Sequence, residues 1–358
     1  MAKICKGELM KSLVIFTSIR DTLNFKKYAQ NFAEYKQEPD VIVIDEDGKN
    51  RGVINEQFIG VKDLEYFGAE ERQGWFNSHK LKEYAGVIPQ KAHNENSFGL
   101  LVALERGGYD MIVFLDDDTY PAYPDDFLGE HWRCLNSEFV GKRNFAGYWV
   151  NTHPEYYVRG YPYNQRFTTE GLQVEPNNPT VLHMGCWSGI PDLNAVDYLV
   201  FNAQNKPRQI DVRNFKVAKK QFAPICSMNV AFKPEIIPAY YQLWHRDRYD
   251  DVFSGLFLKK ITDYLGRDIS VGSPVCYHDK APRNLFKDAA TELSSMELNE
   301  ELWKALLQIE LTEETWLGCY RELAVKLRKT AKPLNPTYIL KMTEKMLLWC
   351  DLIEKVSA

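Results

Sequence analysis

Met111-Ile112-Val113-Phe114-Leu115-Asp116-Asp117-Asp118 is the stretch that decides the fold. A run of five apolar residues reads as a strand covered on both faces, and three carboxylates follow at its carboxyl end. Adjacent charges are too costly to bury unpaired, so they sit where the strand leaves the sheet. In open α/β sheets that edge is where ligands bind. Side chains alternate along an extended segment, so Asp116 and Asp118 face the same point. Two hard oxygen ligands there suit Mn²⁺ or Mg²⁺ bridged to a diphosphate. The triplet alone would also suit an acidic surface turn; the apolar strand in front of it favours the cation.

The same pattern recurs on either side. Ser12 to Phe16 is a short apolar run ending in Thr17-Ser18-Ile19-Arg20-Asp21, followed by a helix from about Asn24 to Tyr35. Val41-Ile42-Val43-Ile44 then runs into Asp45-Glu46-Asp47-Gly48. Strand, helix, strand at this spacing opens a parallel α/β sheet. A helix over Asn96–Arg106, stopped by Gly107-Gly108, feeds the Asp116 strand. Thr17, Asp45 and Asp116 are thereby expected along one carboxyl edge.

Residues 120–225 read as long loops rich in Pro, Asn, Gly and aromatics. Another strand is expected within Ile225 to Phe232, a helix over Asp251–Leu265, and a short strand at Ile269 to Val271. Beyond Asn299 only helical periodicity remains, with a break over Ala331–Pro336 and a last helix ending near Val356. The expected architecture is α/β: a Rossmann-like nucleotide-sugar-binding domain with a mixed sheet over 1–298, and a helical extension packed on it over 299–358.

The chain has 358 residues, a net charge of −5 and no Lys/Arg run, which argues against nucleic acid as a partner. The seven cysteines are scattered without a CxxC spacing, as in reduced thiols rather than a disulfide frame or a zinc site. No signal-peptide pattern or membrane-span length appears, so a cytoplasmic protein without a transmembrane segment is expected. Apolar positions in the helical tail suit association into homo- or hetero-oligomers, and a tail packed on its own chain would read the same. Dehydrogenase, P-loop, zinc-protease and serine-hydrolase motifs are absent.

Asp250-Asp251 opens a helix, so one carboxylate is expected as its cap and the other toward substrate hydroxyls. His278 follows a short strand and could complete the ligand set begun by Asp116 and Asp118. Arg166, in the loop Arg159-Gly160-Tyr161-Pro162-Tyr163-Asn164-Gln165-Arg166, suits a phosphate clamp; attack by it on an anomeric carbon would need a neighbouring carboxylate, because guanidinium stays protonated. Lys91 could meet a diphosphate or the nucleoside, or lie in solvent.

Asp116-Asp117-Asp118 is also the DxD arrangement of nucleotide-sugar-dependent glycosyltransferases. An ordered set of stretches resembles one family, the reversibly glycosylated polypeptides or UDP-arabinopyranose mutases, best known from plants. These are Thr17-Ser18-Ile19-Arg20, Leu115-Asp116-Asp117-Asp118, Arg159-Gly160-Tyr161-Pro162 with Arg166, Trp187-Ser188-Gly189-Ile190-Pro191-Asp192, and Cys226-Ser227-Met228-Asn229-Val230-Ala231-Phe232. Arg248-Tyr249-Asp250-Asp251, Tyr277-His278-Asp279-Lys280-Ala281 and the tail around Cys319-Tyr320-Arg321-Glu322-Leu323 continue it. The set spans nearly the whole chain. One departure stands out: the plant pattern places Glu-Gly directly after the arginine, whereas here Phe167-Thr168-Thr169 intervenes before Glu170-Gly171.

The resemblance implies a GT-A-like fold and interconversion of UDP-arabinopyranose and UDP-arabinofuranose with Mn²⁺ or Mg²⁺. It implies Asp116, Asp118 and His278 on the metal, and Thr17, Ser18, Arg20, Asp45, Lys91 and Asp117 around the UDP-sugar. Arg166 is expected to take the glycosyl group transiently, with Asp250 and Asp251 as its catalytic companions. The rival expectations are a glycosyltransferase acting on an external acceptor and a non-catalytic UDP-sugar-binding subunit.

Overall fold

The structure is a computed structural model that describes residues 10–19, 24–46, 61, 63–90, 93–137, 142–145, 147–167, 170–173, 175–201, 206–210, 212–243, 248–330 and 336–358. Its first half builds the expected parallel sheet. Strands β1 (Ser12–Ser18), β2 (Asp40–Asp45), β3 (Asp63–Phe67) and β4 (Met111–Asp116) lie in the order β3-β2-β1-β4, all parallel. This is the nucleotide-binding half-sheet order of doubly wound folds. The register sets Thr17 beside Asp116 and Ser18 beside Asp45, so the expected carboxyl edge is present.

Helices α1 (Phe25–Glu34), α2 (Ala69–Ser78) and α3 (Asn96–Arg106) connect these strands. α3 lies close to β1 because residue 99 is glycine: a Cβ there would meet Ile15 at 2.6 Å. That approach carries Asn96, in the first turn of α3, to the Thr17 hydroxyl, which donates to its side-chain oxygen.

The second half departs from the loop-rich expectation. β5 (Thr119–Pro121), α4 (Phe127–Asn136), β6 (Lys142–Phe145) and β7 (Glu170–Gln173) precede a ten-residue central strand, β8 (Thr180–Gly189). Every residue of β8 is buried. Its polar members hide it in the sequence, and hydrogen bonds let the interior accept them: His183 is held by the Ser270 hydroxyl at 2.8 Å and the Ser273 carbonyl at 2.6 Å. After α5 (Ala195–Phe201) and β9 (Phe215–Val217), the run from Ile225 yields only a four-residue strand, β10 (Asn229–Phe232). It lies antiparallel between β4 and β8.

Helix α6 (Asp250–Tyr264) leads to β11 (Asp268–His278), eleven residues rather than the three expected at Ile269–Val271. Gly272-Ser273-Pro274 reads as a strand end, but a register shift between Gly272 and Cys276 absorbs the proline and pairing with β8 resumes. The finished mixed sheet runs β3-β2-β1-β4-β10-β8-β11-β9-β6-β7, with β5 paired to β11.

The tail is α7 (Leu285–Gln308), α8 (Trp316–Lys329) and α9 (Pro336–Val356). α7 runs unbroken through residues 298 and 299, and the tail's Leu302, Leu327 and Trp349 share one apolar core with the sheet. Trp349 stacks on Tyr241 at 5.0 Å and donates to the Pro238 carbonyl. Trp349→Ala is expected to lower the unfolding free energy by about 3–5 kcal/mol. Chemical denaturation reads this directly, and a loss below about 1 kcal/mol would show that the tail is not part of the core.

His131 and His183 are both fully buried behind the sheet, their rings 5.5 Å apart. Burial pushes the His183 pKa down to about 4. The unfolded chain therefore binds a proton that the folded chain refuses between about pH 6.5 and 4. The stability held by neutral His183 is complete above that window and falls by roughly 3 kcal/mol as pH drops through it. Denaturation midpoints measured at pH 7 and pH 5 should differ in that direction, and His183→Gln should flatten the slope.

Candidate active site

β4 ends on Asp116, and the chain turns at once into β5, whose pairing sets Thr119 opposite His278 at the end of β11. Two hydrogen bonds lock this turn: Asp279 N–H donates to the Asp118 carbonyl at 2.7 Å, and the Thr119 hydroxyl to the Asp116 carbonyl at 2.9 Å. His278 is buried, with Nδ1 2.8 Å from the Ile190 carbonyl. A carbonyl only accepts, so Nδ1 donates in that contact, and Nε2 is left facing the Asp118 carboxylate, 3.4 Å away.

Burial, and then repulsion from Asp118 and Asp117, pushes the Asp116 pKa well above the usual carboxylate range. Like charges held this close call for a proton or a cation. Among the described residues no three metal-ligating side chains form a ready-made cage. Carboxylates completed by water and phosphate oxygens are nevertheless the usual way of holding Mg²⁺, and this donor set fits that chemistry.

The other expected nucleotide residues divide. Thr17 lines the cavity, of about 130 Å³, that contains Asp116, Asp117, Asp118 and His278. Asp117 turns its carboxylate back to accept from Ile19 N–H at 2.9 Å and the buried Ser18 hydroxyl at 3.5 Å, and so fastens the β1 loop to the acidic turn. Asp45 is buried below the edge and accepts from the Tyr66 hydroxyl at 2.9 Å; its neighbour Glu46 reaches the cavity instead. Arg20 and Lys91 lie outside the described residues.

Opposite the acidic turn stands a charge cluster centred on Asp192. Arg159 Nε at 3.0 Å, Arg248 Nη2 at 3.1 Å and Lys280 Nζ at 2.9 Å all donate to its carboxylate. Burial alone would raise the Asp192 pKa, but these cations outweigh it and hold it well below the usual range. Arg159 also forks onto Asp251 through Nη1 at 2.9 Å and Nη2 at 3.0 Å. Burial opposes its charge, yet Asp192 and Asp251 keep the guanidinium firmly protonated. Burial and the nearby Arg248 bring Lys280 down to about 8, against the pull of Asp192.

Local backbone brings Arg159 here. Residue 160 has φ +89°, and a Cβ on it would meet Val252 of α6 at 2.6 Å, so only glycine lets this loop lie against the helix.

Two expectations change. Tyr249 rather than an aspartate holds the cap position, and Asp251 serves the helix start from within its first turn, its Oδ1 accepting from Val252 N–H at 2.9 Å. Asp251 is bound to Arg159, while both residues line the cavity and place negative charge in the first turn of α6. Arg166, read as the catalytic arginine, lies elsewhere. Its guanidinium is forked onto Asp197 at 3.1 and 2.6 Å and lies 3.7 Å from the centre of the Tyr163 ring. It lines a larger, separate cavity of about 450 Å³. Charge pairing and ring stacking commit Arg166 to that wall, and Arg159, seven positions earlier in the same loop, faces the acidic turn. Arg159, Asp192, Arg248 and Lys280 were not singled out from the sequence, although each lies in one of the stretches that carry the family resemblance.

The family model described as reversibly glycosylated polypeptide matches residues 81–358. The chain is 32% identical over 270 residues to UDP-arabinopyranose mutase 1 of Arabidopsis thaliana, covering 71% of this chain and 70% of that one. It is 30% identical over 276 residues to probable UDP-arabinopyranose mutase 1 of Pisum sativum, covering 73% and 71%. Among solved structures, glucosyl-3-phosphoglycerate synthase from Mycobacterium tuberculosis, in complex with Mg²⁺ and uridine diphosphate, aligns with a TM-score of 0.42 and 12% identity over 82% of this chain and 79% of that chain. No helix among the described residues is long and apolar enough to cross a membrane. With its family model matched from residue 81 through the acidic turn to the end of the helical tail, the chain belongs to the reversibly glycosylated polypeptide family.

Proposed function

We propose that the chain is a UDP-sugar mutase that interconverts pyranose and furanose forms, of the UDP-arabinopyranose and UDP-arabinofuranose type, in the cavity between Asp116 and Asp192. One observation carries this reading: an arginine forked onto a carboxylate, Arg159 on Asp251, shares a small cavity with a carboxylate turn suited to a cation and a diphosphate. The named activity of the relatives supports it.

Asp116 and Asp118, with His278 beside them, would hold Mn²⁺ or Mg²⁺. When bound, such a cation neutralises diphosphate charge and makes UDP a better leaving group. Lys280 and Arg283 line the same cavity and add positive charge toward the departing phosphate. Thr17 bounds the cavity on the nucleotide side, and Asp250 orients the sugar hydroxyls.

Arg159 takes the part first read for Arg166. As the C1–O bond to UDP breaks, an Nη nitrogen of Arg159 bonds to C1 and its proton passes to Asp251. The bound nitrogen's lone pair then forms C1=N as the C1–ring-oxygen bond breaks, and Asp251 gives its proton to the freed oxygen; a different hydroxyl closes on C1, the C=N pair returns to nitrogen, and that hydroxyl's proton passes to Asp251, so the ring size changes. UDP then attacks C1, the C1–N bond breaks, and Asp251 returns the proton. The ion pair that keeps Arg159 protonated at rest thus also supplies the base that the step requires.

Incubation with Mn²⁺ and either UDP-arabinopyranose or UDP-arabinofuranose is the test. The expected result is one equilibrium mixture of unchanged mass reached from both sides. Free UDP released without the isomeric nucleotide-sugar would instead identify a transferase awaiting an acceptor. A bound sugar that never changes would identify a non-catalytic subunit.

A further inference from the structure

Asp192 divides its cations between its two oxygens. Oδ2 accepts from Arg159 Nε at 3.0 Å, whereas Oδ1 accepts from both Arg248 Nη2 at 3.1 Å and Lys280 Nζ at 2.9 Å. Arg248 and Lys280 are thus crowded onto one oxygen. Two cations held this close favour an anion beside them, as the carboxylate turn across the cavity favours a cation. Both residues line that cavity, and the Arg248 side chain keeps 8% of its surface exposed, within reach of a ligand there.

The fold goes to some length to hold Arg248 in place. Its backbone has φ +66°, a left-handed conformation that is costly for a residue with a Cβ. Its carbonyl accepts from Arg159 Nη1. Burial, and then Arg159, opposes its charge, yet Asp192 and Glu292 keep the guanidinium firmly protonated. Glu292 comes from α7, the first helix of the tail, and is fully buried. Its Oε1 accepts from Arg248 Nη1 at 2.5 Å, and its Oε2 from the N–H of Ala195, the first residue of α5, at 2.7 Å. With no exposed surface Glu292 touches no ligand, so what it does for the site passes through Arg248.

A buried ion pair is a poor source of stability, since apolar groups of similar volume often serve as well or better. Strained backbone and buried charge meeting at one cavity-lining residue point instead to a guanidinium that must be held in one orientation. Glu292 and Asp192 hold different Nη nitrogens and so fix its plane. Of the five N–H groups that arginine carries, others are left for phosphate oxygens. We propose that Arg248 grips the diphosphate of the nucleotide-sugar and that Glu292 is its positioning residue. The inference rests on the nucleotide-sugar reading of the cavity, but not on the mutase step.

Isothermal titration of the full chain with UDP in saturating Mn²⁺, through Glu292→Gln, Arg248→Gln and the double variant, tests it. Glutamine keeps an acceptor for Ala195 N–H and drops the charge. Charge counting alone predicts that losing a negative group near a phosphate site tightens UDP binding. Positioning predicts the reverse, and Glu292→Gln should weaken it by about 3- to 10-fold. Arg248→Gln should weaken it by about 10- to 100-fold. In the double variant Glu292 has no guanidinium left to place, so binding should match Arg248→Gln within about 2-fold. Should Glu292→Gln fail to fold, Glu292→Asp keeps the charge but shortens the reach, and should weaken UDP binding by about 2- to 5-fold. With a parent chain that binds UDP, unchanged or tighter binding by the folded Glu292 variant, or losses that add in the double variant, would overturn the proposal alone. A parent chain that binds no UDP would overturn the nucleotide-sugar reading and this proposal with it.

Discussion

Asp116→Asn is expected to lower UDP-sugar turnover by about 10²–10³-fold while leaving the fold intact or slightly more stable. The two halves of this result have one cause. Asp116 sits half-buried beside Asp117 and Asp118, and its raised pKa records loss of solvent first and then the repulsion of like charges. Removing one charge relieves that repulsion, so the melting temperature without added cation should stay level or rise. Mn²⁺ should raise the melting temperature of the parent chain, because a ligand that binds only the folded state stabilises it, and should raise that of Asp116→Asn much less. Calorimetric scans with and without Mn²⁺, alongside turnover, check both halves. A variant that melts several degrees lower, or turns over normally, would mean that Asp116 is a structural carboxylate.

Arg159→Lys is expected to remove turnover by about 10²-fold or more while UDP binding changes only a few-fold. Lysine keeps the positive charge but loses the fork onto Asp251 and the bond to Asp192 that fix the nitrogen facing the sugar. Arg159→Ala should go further and destabilise the protein by about 3–5 kcal/mol, because part of the Asp192 and Asp251 charge would be left buried without its partner. The lysine variant therefore separates chemistry from folding. A drop in kcat with a nearly unchanged Kd for UDP is the expected signature, and a drop in UDP affinity alone would make Arg159 a phosphate clamp.

The parallel half of the sheet was legible because its strands carry a pure signal. Val41–Ile44 and Met111–Leu115 are continuous apolar runs ending in acidic residues, and one covered strand with one polar exit places both the sheet and its functional edge. The antiparallel half was not legible for an equally physical reason. β8 is buried along its whole length but contains His183, Gly185 and Ser188, and β11 passes through Pro274 at a register shift. Tertiary hydrogen bonds and pairing across sequence separations of about 90 residues make those strands, and no local pattern records them.

The site divides along the same line. Asp116, Asp118 and His278, to which one strand end and one ordered set of motifs point, do line one cavity. Arg159 was passed over for Arg166 because only six residues of loop separate two arginines that the sequence cannot tell apart. What distinguishes them is the partner each finds, Asp251 and Asp192 for one and Asp197 for the other.

Locating the transferred sugar is the most direct test of the assignment. The protein would be incubated briefly with UDP-arabinopyranose labelled in the sugar, quenched and digested, and the peptides fragmented by mass spectrometry. A pentosyl mass on Arg159, lost when excess UDP is added before quenching, is the predicted result. A label on Arg166, or full turnover with no labelled arginine at any time, would contradict the account.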